Sequence, residues 1–327
     1  MSQNLGQILR TSGGSSPHLL EASGVVRSGN QLFFAADGTP NAYFVYDLQP
    51  SDQPRGSGPV LSSIAIDQAH LTEVPLALPL AIDLEGIALL AAGKPVLVSE
   101  RTHTLLTPGR ILADYPDVFD EIGNRGLEGV AVRRLSDTTL QVAALWEGGF
   151  LERRRVPREL QTDAVVNRPL KPLVCVHTIP SDSLRWSVPA APCPRGVDVV
   201  GLNVPAAPDT AQHFRAADLI WWPDGQGFLV LLSSQNATSA DTIRYKYKWL
   251  QRFDVRGNLV DGPISLCAPV IPEALRVKRS GNVEGLGWFE EGKSVIIVND
   301  YEEPATVAIL ALAGPWPTAV VPFECPS

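Results

Sequence analysis

The chain has 327 residues, of which 45% are hydrophobic and 19% are charged, so it can bury a sizeable core in one or two domains. Its 27 basic and 35 acidic side chains give a formal net charge of −8, which argues against nucleic acid or an anionic membrane as a partner. No stretch of the sequence approaches the roughly 20 apolar residues that span a bilayer.

The distribution of proline and glycine along the sequence favours short strands over helices. Prolines number 28 and glycines 27, and both are spread along the whole chain. This distribution is typical of many strands joined by turns. An α/β fold would need amphipathic helices between its strands, and segments 50–58 and 180–207 are too rich in proline and glycine for that. We therefore predict an all-β fold.

A short phrase recurs along the chain, in which an acidic residue, often followed by glycine, begins an apolar strand. The five phrases begin at Glu21, Glu85, Glu128, Asp218 and Glu284. A turn and a second apolar strand follow each phrase, and that strand leads into a polar residue. These polar residues are Asp37, Glu100, Glu147, Gln235 and Asp300. The nearly constant spacing indicates a structural repeat.

Further apolar segments bring each repeat to about four strands. The second strands are predicted at 32–36, 95–99, 140–145, 228–233 and 294–298, and the additional strands at 42–48, 62–66, 173–179, 248–255 and 306–312. Four strands per repeat is the blade of a β-propeller. We predict one propeller domain over residues 1–327, with 1–17 as a flexible N-terminal segment.

The number of blades depends on the long interval between Glu128 and Asp218. A degenerate blade around 196–204 would fill this interval, so six blades are favoured. Long loops in the same interval would leave five. We expect a strand near 318–323 to close the ring against the N-terminal blade.

Propeller geometry places the acidic residues together. The first strand of a blade lines the central channel and the second runs antiparallel beside it, so the acid and the polar residue of each repeat lie at one mouth. Converging carboxylates repel one another unless protons or a cation neutralise them. Ca²⁺ accepts six to eight oxygen ligands in flexible geometry, and we expect it at this mouth. The alternative is that each acid caps a turn or accepts backbone N–H groups from a neighbouring blade.

The cysteines and the N-terminal residues are the features of the sequence that bear on whether the protein is cytosolic or exported. The four cysteines show no metal-binding spacing, which favours buried free thiols, and one or two disulfides would accompany export. Residues 1–16 contain no apolar core of the signal-peptide type. A complete chain would then be cytosolic, whereas removal of a leader would indicate a periplasmic or secreted protein.

Several phrases resemble the family known as the esterase-like domain of phytase. They are 82–88 with 98–101, 124–131, 282–286 with 298–300, and 214–219 with 223–225, and together they reach across most of the chain. The resemblance implies a propeller, often exported, with Ca²⁺-dependent hydrolysis of ester or phosphoester bonds. The segment 233–236 departs from the family pattern, because an acid or Glu-Arg is usual there.

Two functions follow from this pattern. In a hydrolase, the metal ligands would be Glu21, Glu85, Glu128, Asp218 and Glu284. Glu100 or His103 would act as general base beside Arg101, and Arg125 and Arg215 would hold a small anionic or ester substrate. The alternative is a binding module with a structural ion or none, in which these arginines form salt bridges with the acids. The sequence indicates no oligomeric state.

Overall fold

The computed structural model describes residues 22–36, 41–56, 58, 60–64, 66, 70–78, 83–90, 93–115, 126–150, 169–180, 198–205, 212–236, 248–261, 263–266, 283–299 and 307–312. These residues form five four-stranded antiparallel sheets and one two-stranded ribbon. Their helical structure is one short 3-10 turn, Pro50–Asp52. In this part of the chain no helix has the length and apolar character needed to cross a bilayer.

The first two blades come from the N-terminal third of the chain. This part of the chain forms strands β1 (Ala22–Ser28), β2 (Gln31–Ala36), β3 (Ala42–Asp47), β4 (Val60–Ile64), β5 (Leu71–Pro75), β6 (Leu84–Leu89), β7 (Pro95–Ser99), β8 (Thr104–Thr107) and β9 (Arg110–Asp114), of which β4 belongs to blade 5. Blade 1 has the order β1-β2-β3-β5, and blade 2 has the order β6-β7-β8-β9.

The other three blades follow in chain order. Their strands are β10 (Leu127–Ser136), β11 (Thr139–Trp146), β12 (Gly149–Phe150), β13 (Pro169–Leu170), β14 (Leu173–Pro180), β15 (Asp198–Gly201), β16 (Gln212–Trp221), β17 (Gly227–Asn236), β18 (Lys248–Asp254), β19 (Ile264–Ser265), β20 (Val283–Glu290), β21 (Ser294–Asn299) and β22 (Val307–Ala311). Blade 3 is β10-β11-β14-β15, blade 4 is β16-β17-β18-β19 and blade 5 is β20-β21-β22-β4. Strands β12 and β13 form the ribbon.

The five blades close into a ring. Inner strands β1, β6, β10, β16 and β20 each pack against the inner strands of two neighbours, and β20 returns to β1. The ring is closed by β4, which leaves blade 1 and pairs with β22 as the outer strand of blade 5, with Val307 opposite Ile64. The expected closing strand at 318–323 lies outside the described residues.

The preference for six blades is wrong, and the five-blade alternative is correct. The described residues of the long interval add β14 and β15 to blade 3 and form the β12–β13 ribbon. Asp198–Gly201, within the segment expected to form an additional blade, is the outer strand of blade 3, where Cys175 pairs with Val199. The interval therefore extends an existing blade.

Hydrophobic side chains hold each blade against the next. Successive side chains of a strand point to opposite faces of the sheet, so both faces of a blade contribute to a core. Five buried clusters result, one between each pair of neighbouring blades, and aromatic residues such as Phe44, Tyr115, Trp249 and Phe253 are among their largest members.

Glycines let the inner strands approach closely around the channel. A Cβ placed on Gly86 would lie 2.8 Å from the carbonyl oxygen of Glu128 and 2.9 Å from Cα of Gly129 on the next blade. In the same way, a Cβ placed on Gly24 would lie 2.8 Å from the carbonyl oxygen of Glu85 on blade 2. A Cβ placed on Gly285 would lie 3.0 Å from Cα of Gly24 on blade 1. The glycines that follow the acidic residues therefore serve backbone packing between blades.

This packing predicts that Gly86→Ala lowers the free energy of unfolding by about 1–3 kcal/mol, because the nearest atoms are backbone and cannot rotate away. Gly58→Ala is the matched control, since no heavy atom lies within 4 Å of a Cβ placed there. Urea unfolding of both variants measures the difference. Equal stabilities would show that the inner strands separate at no cost.

One cysteine departs from the expectation of free thiols. Cys175 on β14 is buried at 2% exposure and is disulfide-bonded. No free cysteine is found in the described part of the chain. The alternative that included disulfides is therefore correct for Cys175.

Candidate functional site: a buried carboxylate cluster at one mouth of the channel

Each inner strand carries a β-bulge, near its beginning in four blades and in the middle of β16 in blade 4. In every blade one residue is skipped in the pairing with the second strand, as between Leu84 and Gly86 or between Leu127 and Gly129. A bulge re-aims its extra side chain, and bulges are frequent beside functional sites. The five skipped residues are Ser23, Glu85, Glu128, Ala217 and Glu284.

The strand pairing aligns the five repeats differently from the sequence analysis, which aligned them on their acidic residues. In blade 4 the bulge residue is Ala217, and Asp218 occupies the position that glycine takes in the other blades. In blade 1 the bulge residue is Ser23, two residues after Glu21, which lies outside the described residues. The register therefore gives three blades a glutamate at this position.

The three bulge glutamates are buried, with exposures of 5% for Glu85, 4% for Glu128 and 6% for Glu284. Two of them, Glu85 and Glu128, lie close to carboxylates of other residues. Oxygen atoms of Asp83, Glu85 and Glu100 all lie within 4.8 Å of one another, and so do those of Glu100, Glu128 and Glu147. Glu100 belongs to both groups and joins blade 2 to blade 3.

Arg215 supplies a guanidinium to the same cluster. Its Nη1 donates to Glu147 at 3.0 Å, its Nη2 donates to Glu284, and its Nε donates to Ser233 at 3.2 Å. The residue is 7% exposed. The structure thus places this predicted substrate-binding residue between two carboxylates, the salt-bridge arrangement that was the alternative interpretation.

The surroundings of Glu128 make its ionisation costly. The pKa of Glu128 is raised well above its ordinary value, first by burial and then by the charges of Glu147, Glu100 and Glu284, while Arg215 acts in the opposite direction. A proton or a nearby cation would relieve this cost. A cation beside Glu128 would therefore favour the ionised form of this cluster.

Asp218 stands apart from this cluster in its contacts. Its Oδ1 accepts the backbone N–H of Leu219 and its Oδ2 accepts that of Leu286 on blade 5, both at 2.7 Å. Burial raises the pKa of Asp218, and these two hydrogen bonds oppose the shift. A Cβ on Gly129 would meet Oδ1 at 2.5 Å, so Asp218 also packs against blade 3. Its observed contacts join three blades.

Two other predicted site residues, Arg101 and His103, lie in the turn after β7. Arg101 is exposed, whereas His103 is 8% exposed and has a φ of 50°. The carbonyl of His103 accepts the N–H of Tyr115 at 2.9 Å. Arg125 lies outside the described residues.

Three residues of the cluster were absent from all of the predicted site residues, whether metal ligands, catalytic residues or substrate-binding residues. Glu147 follows β11 as Glu100 follows β7, and this shared position was the available signal. Asp83 precedes its bulge glutamate by two residues, the same offset that separates Arg215 from Ala217. Ser233 pairs with Arg215 and carries no sequence signal of its own.

Comparison with known proteins finds no sequence relative and only distant similarity to solved structures. No protein-family model matches the chain, and no curated protein sequence matches it. A thermostable family-43 glycoside hydrolase is similar in structure, with TM-score 0.48, 11% identity and coverage of 94% of this chain and 93% of that one. A luciferin-regenerating enzyme gives TM-score 0.40, 11% identity and coverage of 92% and 95%.

A calcium structure of the Trichoderma reesei carbohydrate-active enzymes family AA12 is a third similar structure. It gives TM-score 0.42, 11% identity and coverage of 87% of this chain and 80% of that one. All three TM-scores lie below 0.5, so these similarities carry no argument about this chain. The resemblance to the esterase-like domain of phytase rests on the sequence phrases alone.

Proposed function

We propose that the propeller binds a divalent cation, Ca²⁺, through the carboxylates of blades 2 and 3 and hydrolyses a small ester or phosphoester at this mouth. The observation that carries the proposal is the pair of carboxylate triads built on Glu100. Oxygen-only ligands on neighbouring backbone segments suit Ca²⁺, which tolerates irregular geometry. The resemblance to the esterase-like domain of phytase supports the same substrate class.

The position of Arg215 favours blades 2 and 3 over the rest of the ring. Its guanidinium lies between Glu147 and Glu284 and supplies positive charge on the side of blades 4 and 5. Blade 4 itself contributes Ala217 and Ser233 where blades 2 and 3 have glutamates. A cation is therefore expected off the axis, towards Asp83, Glu85, Glu100 and Glu128.

Each residue would have a defined part in hydrolysis. A divalent cation held here would polarise a carbonyl or phosphoryl oxygen and acidify a bound water. Glu100, which is only partly buried, would accept a proton from the attacking water. Arg101 is exposed in the same turn and would attract an anionic substrate. Arg215 would keep Glu147 and Glu284 in place.

One observation favours a second candidate, a binding module with a structural ion. Glu128 and Glu147 are 4% and 1% exposed, so an ion between them would be shielded from substrate. Propellers are also used as rigid binding platforms, and the fold does not decide between the two functions.

Metal content and chelation test the proposal. We expect purified protein to contain Ca²⁺, and chelation to abolish turnover of p-nitrophenyl phosphate, p-nitrophenyl acetate or a small lactone. Glu128→Gln should lower turnover at least about tenfold by removing a ligand. Glu290→Gln, a change at an exposed glutamate paired with Lys293, is the matched control and should keep full turnover.

The outcomes separate the two candidates. Turnover that survives complete chelation would exclude metal-assisted hydrolysis. A firmly bound ion without turnover of any of these substrates would favour the binding module. Protein that neither contains nor takes up a divalent cation would overturn both roles for the cluster.

A further inference from the structure

Gly126 lies directly against Glu100, the residue common to both carboxylate triads. A Cβ placed on Gly126 would lie 2.8 Å from Cα of Glu100 and 2.9 Å from its Cβ, and closer still to its Cγ. These three atoms are the nearest ones, so this one glutamate fills the space beside Gly126. Rotation of the Glu100 side chain does not move its Cα, so the two residues keep these positions only while residue 126 has no side chain.

The corresponding position in blade 4 holds a charged residue. Gly126 precedes the bulge of its blade by two residues, as Arg215 does in blade 4. Each of the two meets the glutamate that follows the second strand of the preceding blade. Arg215 donates to Glu147 of blade 3. Gly126 packs against Glu100 of blade 2. Blade 4 thus places a guanidinium at this position, whereas blade 3 leaves room there for the side chain of a neighbouring glutamate.

Hydrogen bonds fix the backbone on both sides of this contact. The N–H of Glu100 donates to the carbonyl of Asp83 at 3.1 Å. The carbonyl of Gly126 accepts the N–H of Glu147 at 3.3 Å. Neither segment can move away from the other without breaking hydrogen bonds of buried backbone groups. A side chain at residue 126 would therefore displace Glu100 from its place between blades 2 and 3.

Ser99 holds the turn that begins at Glu100. Ser99 is 0% exposed, and its Oγ accepts the N–H of Thr102 at 3.3 Å. The carbonyl of Glu100 accepts the N–H of His103 at 3.4 Å in the same turn. Local hydrogen bonds from a serine side chain to the backbone stabilise turns of this kind. The hydroxyl of Ser99 thus helps to set the direction in which the chain presents Glu100.

We infer that Gly126 and Ser99 are positioning residues for Glu100. Gly126 leaves the space that the glutamate occupies, and Ser99 holds the turn that presents it. This inference rests on the proposed function, in which Glu100 binds the cation and accepts a proton from the attacking water. Glu100 belongs to both triads, so its displacement would weaken both. Gly126 and Ser99 act through Glu100 and are not themselves ligands.

Calcium affinity in two glycine variants tests this role. Gly126→Ala should weaken Ca²⁺ binding at least about tenfold and lower turnover by a similar factor, the loss typical of disturbing a residue that orients a metal ligand. Gly287→Ala is the matched control, because a Cβ there would lie 2.5 Å from the carbonyl oxygen of Val25 and also crowds an inner strand. It should lower the melting temperature in chelator but keep the Ca²⁺ affinity and turnover of the wild type.

Ser99→Ala repeats the test with a change that adds no volume, so the inference can be tested even where Gly126→Ala does not fold. We expect Ca²⁺ affinity to fall about tenfold. Ser294→Ala, at a buried serine on β21, is its control and should bind Ca²⁺ as the wild type does. Tb³⁺ luminescence gives a readout that is independent of activity. Its lifetime should shorten in Gly126→Ala and Ser99→Ala, because water replaces the displaced carboxylate.

The outcomes distinguish this inference from the proposed function. Wild-type Ca²⁺ affinity in Gly126→Ala or in Ser99→Ala overturns the role of the residue replaced and leaves the proposed function standing. A loss of affinity in Gly287→Ala equal to that in Gly126→Ala also overturns the role of Gly126, because the loss then follows from loosening of the ring. A wild-type chain that binds no divalent cation overturns the proposed function, and the positioning roles with it.

Discussion

Replacing Arg215 with methionine should lower the free energy of unfolding by about 3–5 kcal/mol, the cost typical of removing one partner from a buried ion pair. Arg215 is 7% exposed and donates to Glu147 on blade 3, Glu284 on blade 5 and Ser233 on its own blade. Methionine keeps much of the side-chain volume but leaves two buried carboxylates without this charge. The penalty therefore reports the charge rather than a cavity.

Arg252→Met is the matched control for this loss. Arg252 also contacts two carboxylates, Asp224 and Asp261, but their side chains are 49% and 62% exposed. Exposed pairs contribute about 0–1 kcal/mol, so this variant should unfold close to the wild type. Both variants are compared by urea unfolding in chelator and again with excess Ca²⁺. A loss for Arg215→Met no larger than that for Arg252→Met would show that Arg215 does not neutralise the cluster.

The blade repeat could be predicted because its signals are local. Period-2 apolar strands and turns such as 28–30 and 223–225 lie within a few residues of each other, and the second strands β7 and β21 begin where the sequence indicated. Glu85, Glu128 and Glu284 were also found, since each precedes a glycine that the channel requires. Local patterning was sufficient for the repeated unit of the fold.

The register of the bulges could not be predicted from acidic residues. Blades 1 and 4 have Ser23 and Ala217 at the bulge, whereas the nearest acidic residues in the sequence are Glu21 and Asp218, which were predicted in their place. A shift of one residue in a strand turns a side chain to the other face. This shift accounts for the backbone hydrogen bonds of Asp218, which accepts N–H groups in place of joining the carboxylate triads.

Ring closure and blade number depend on contacts between distant parts of the chain. Strand β4 pairs with β22 although most of the chain separates them, and no local pattern distinguishes a closing strand from a fourth strand of its own blade. The long interval before Asp218 likewise contributes outer strands to blade 3. The disulfide of Cys175 belongs to the same class, because cysteine pairing cannot be deduced from sequence alone.

Acidification from pH 6.5 to pH 4 should destabilise the protein through His177, by up to about 3 kcal/mol. His177 lies on β14, is 5% exposed, and its Nε2 is 2.5 Å from the hydroxyl of Tyr115 on blade 2. Burial lowers the pKa of His177 from 6.5 to about 4, and burial raises the pKa of Tyr115, so both groups are neutral at pH 7. The unfolded chain binds a proton at His177 below pH 6.5 that the folded chain takes up only near pH 4. The stability contributed by the neutral ring is complete above pH 6.5 and is lost as the pH falls to about 4.

Urea unfolding of the wild type and of His177→Gln across this range isolates the contribution, because other titrating groups affect both proteins alike. The difference in unfolding free energy between them should change by up to about 3 kcal/mol between pH 7 and pH 4. Tyr115→Phe removes the hydrogen bond but keeps the ring buried, so it should retain most of the pH dependence of the wild type. If Tyr115→Phe abolished that dependence, the hydrogen bond rather than burial would hold His177 neutral. A parallel pH dependence of wild type and His177→Gln would show that His177 is hydrated in the folded protein and that the contact between blades 2 and 3 is looser than its packing indicates.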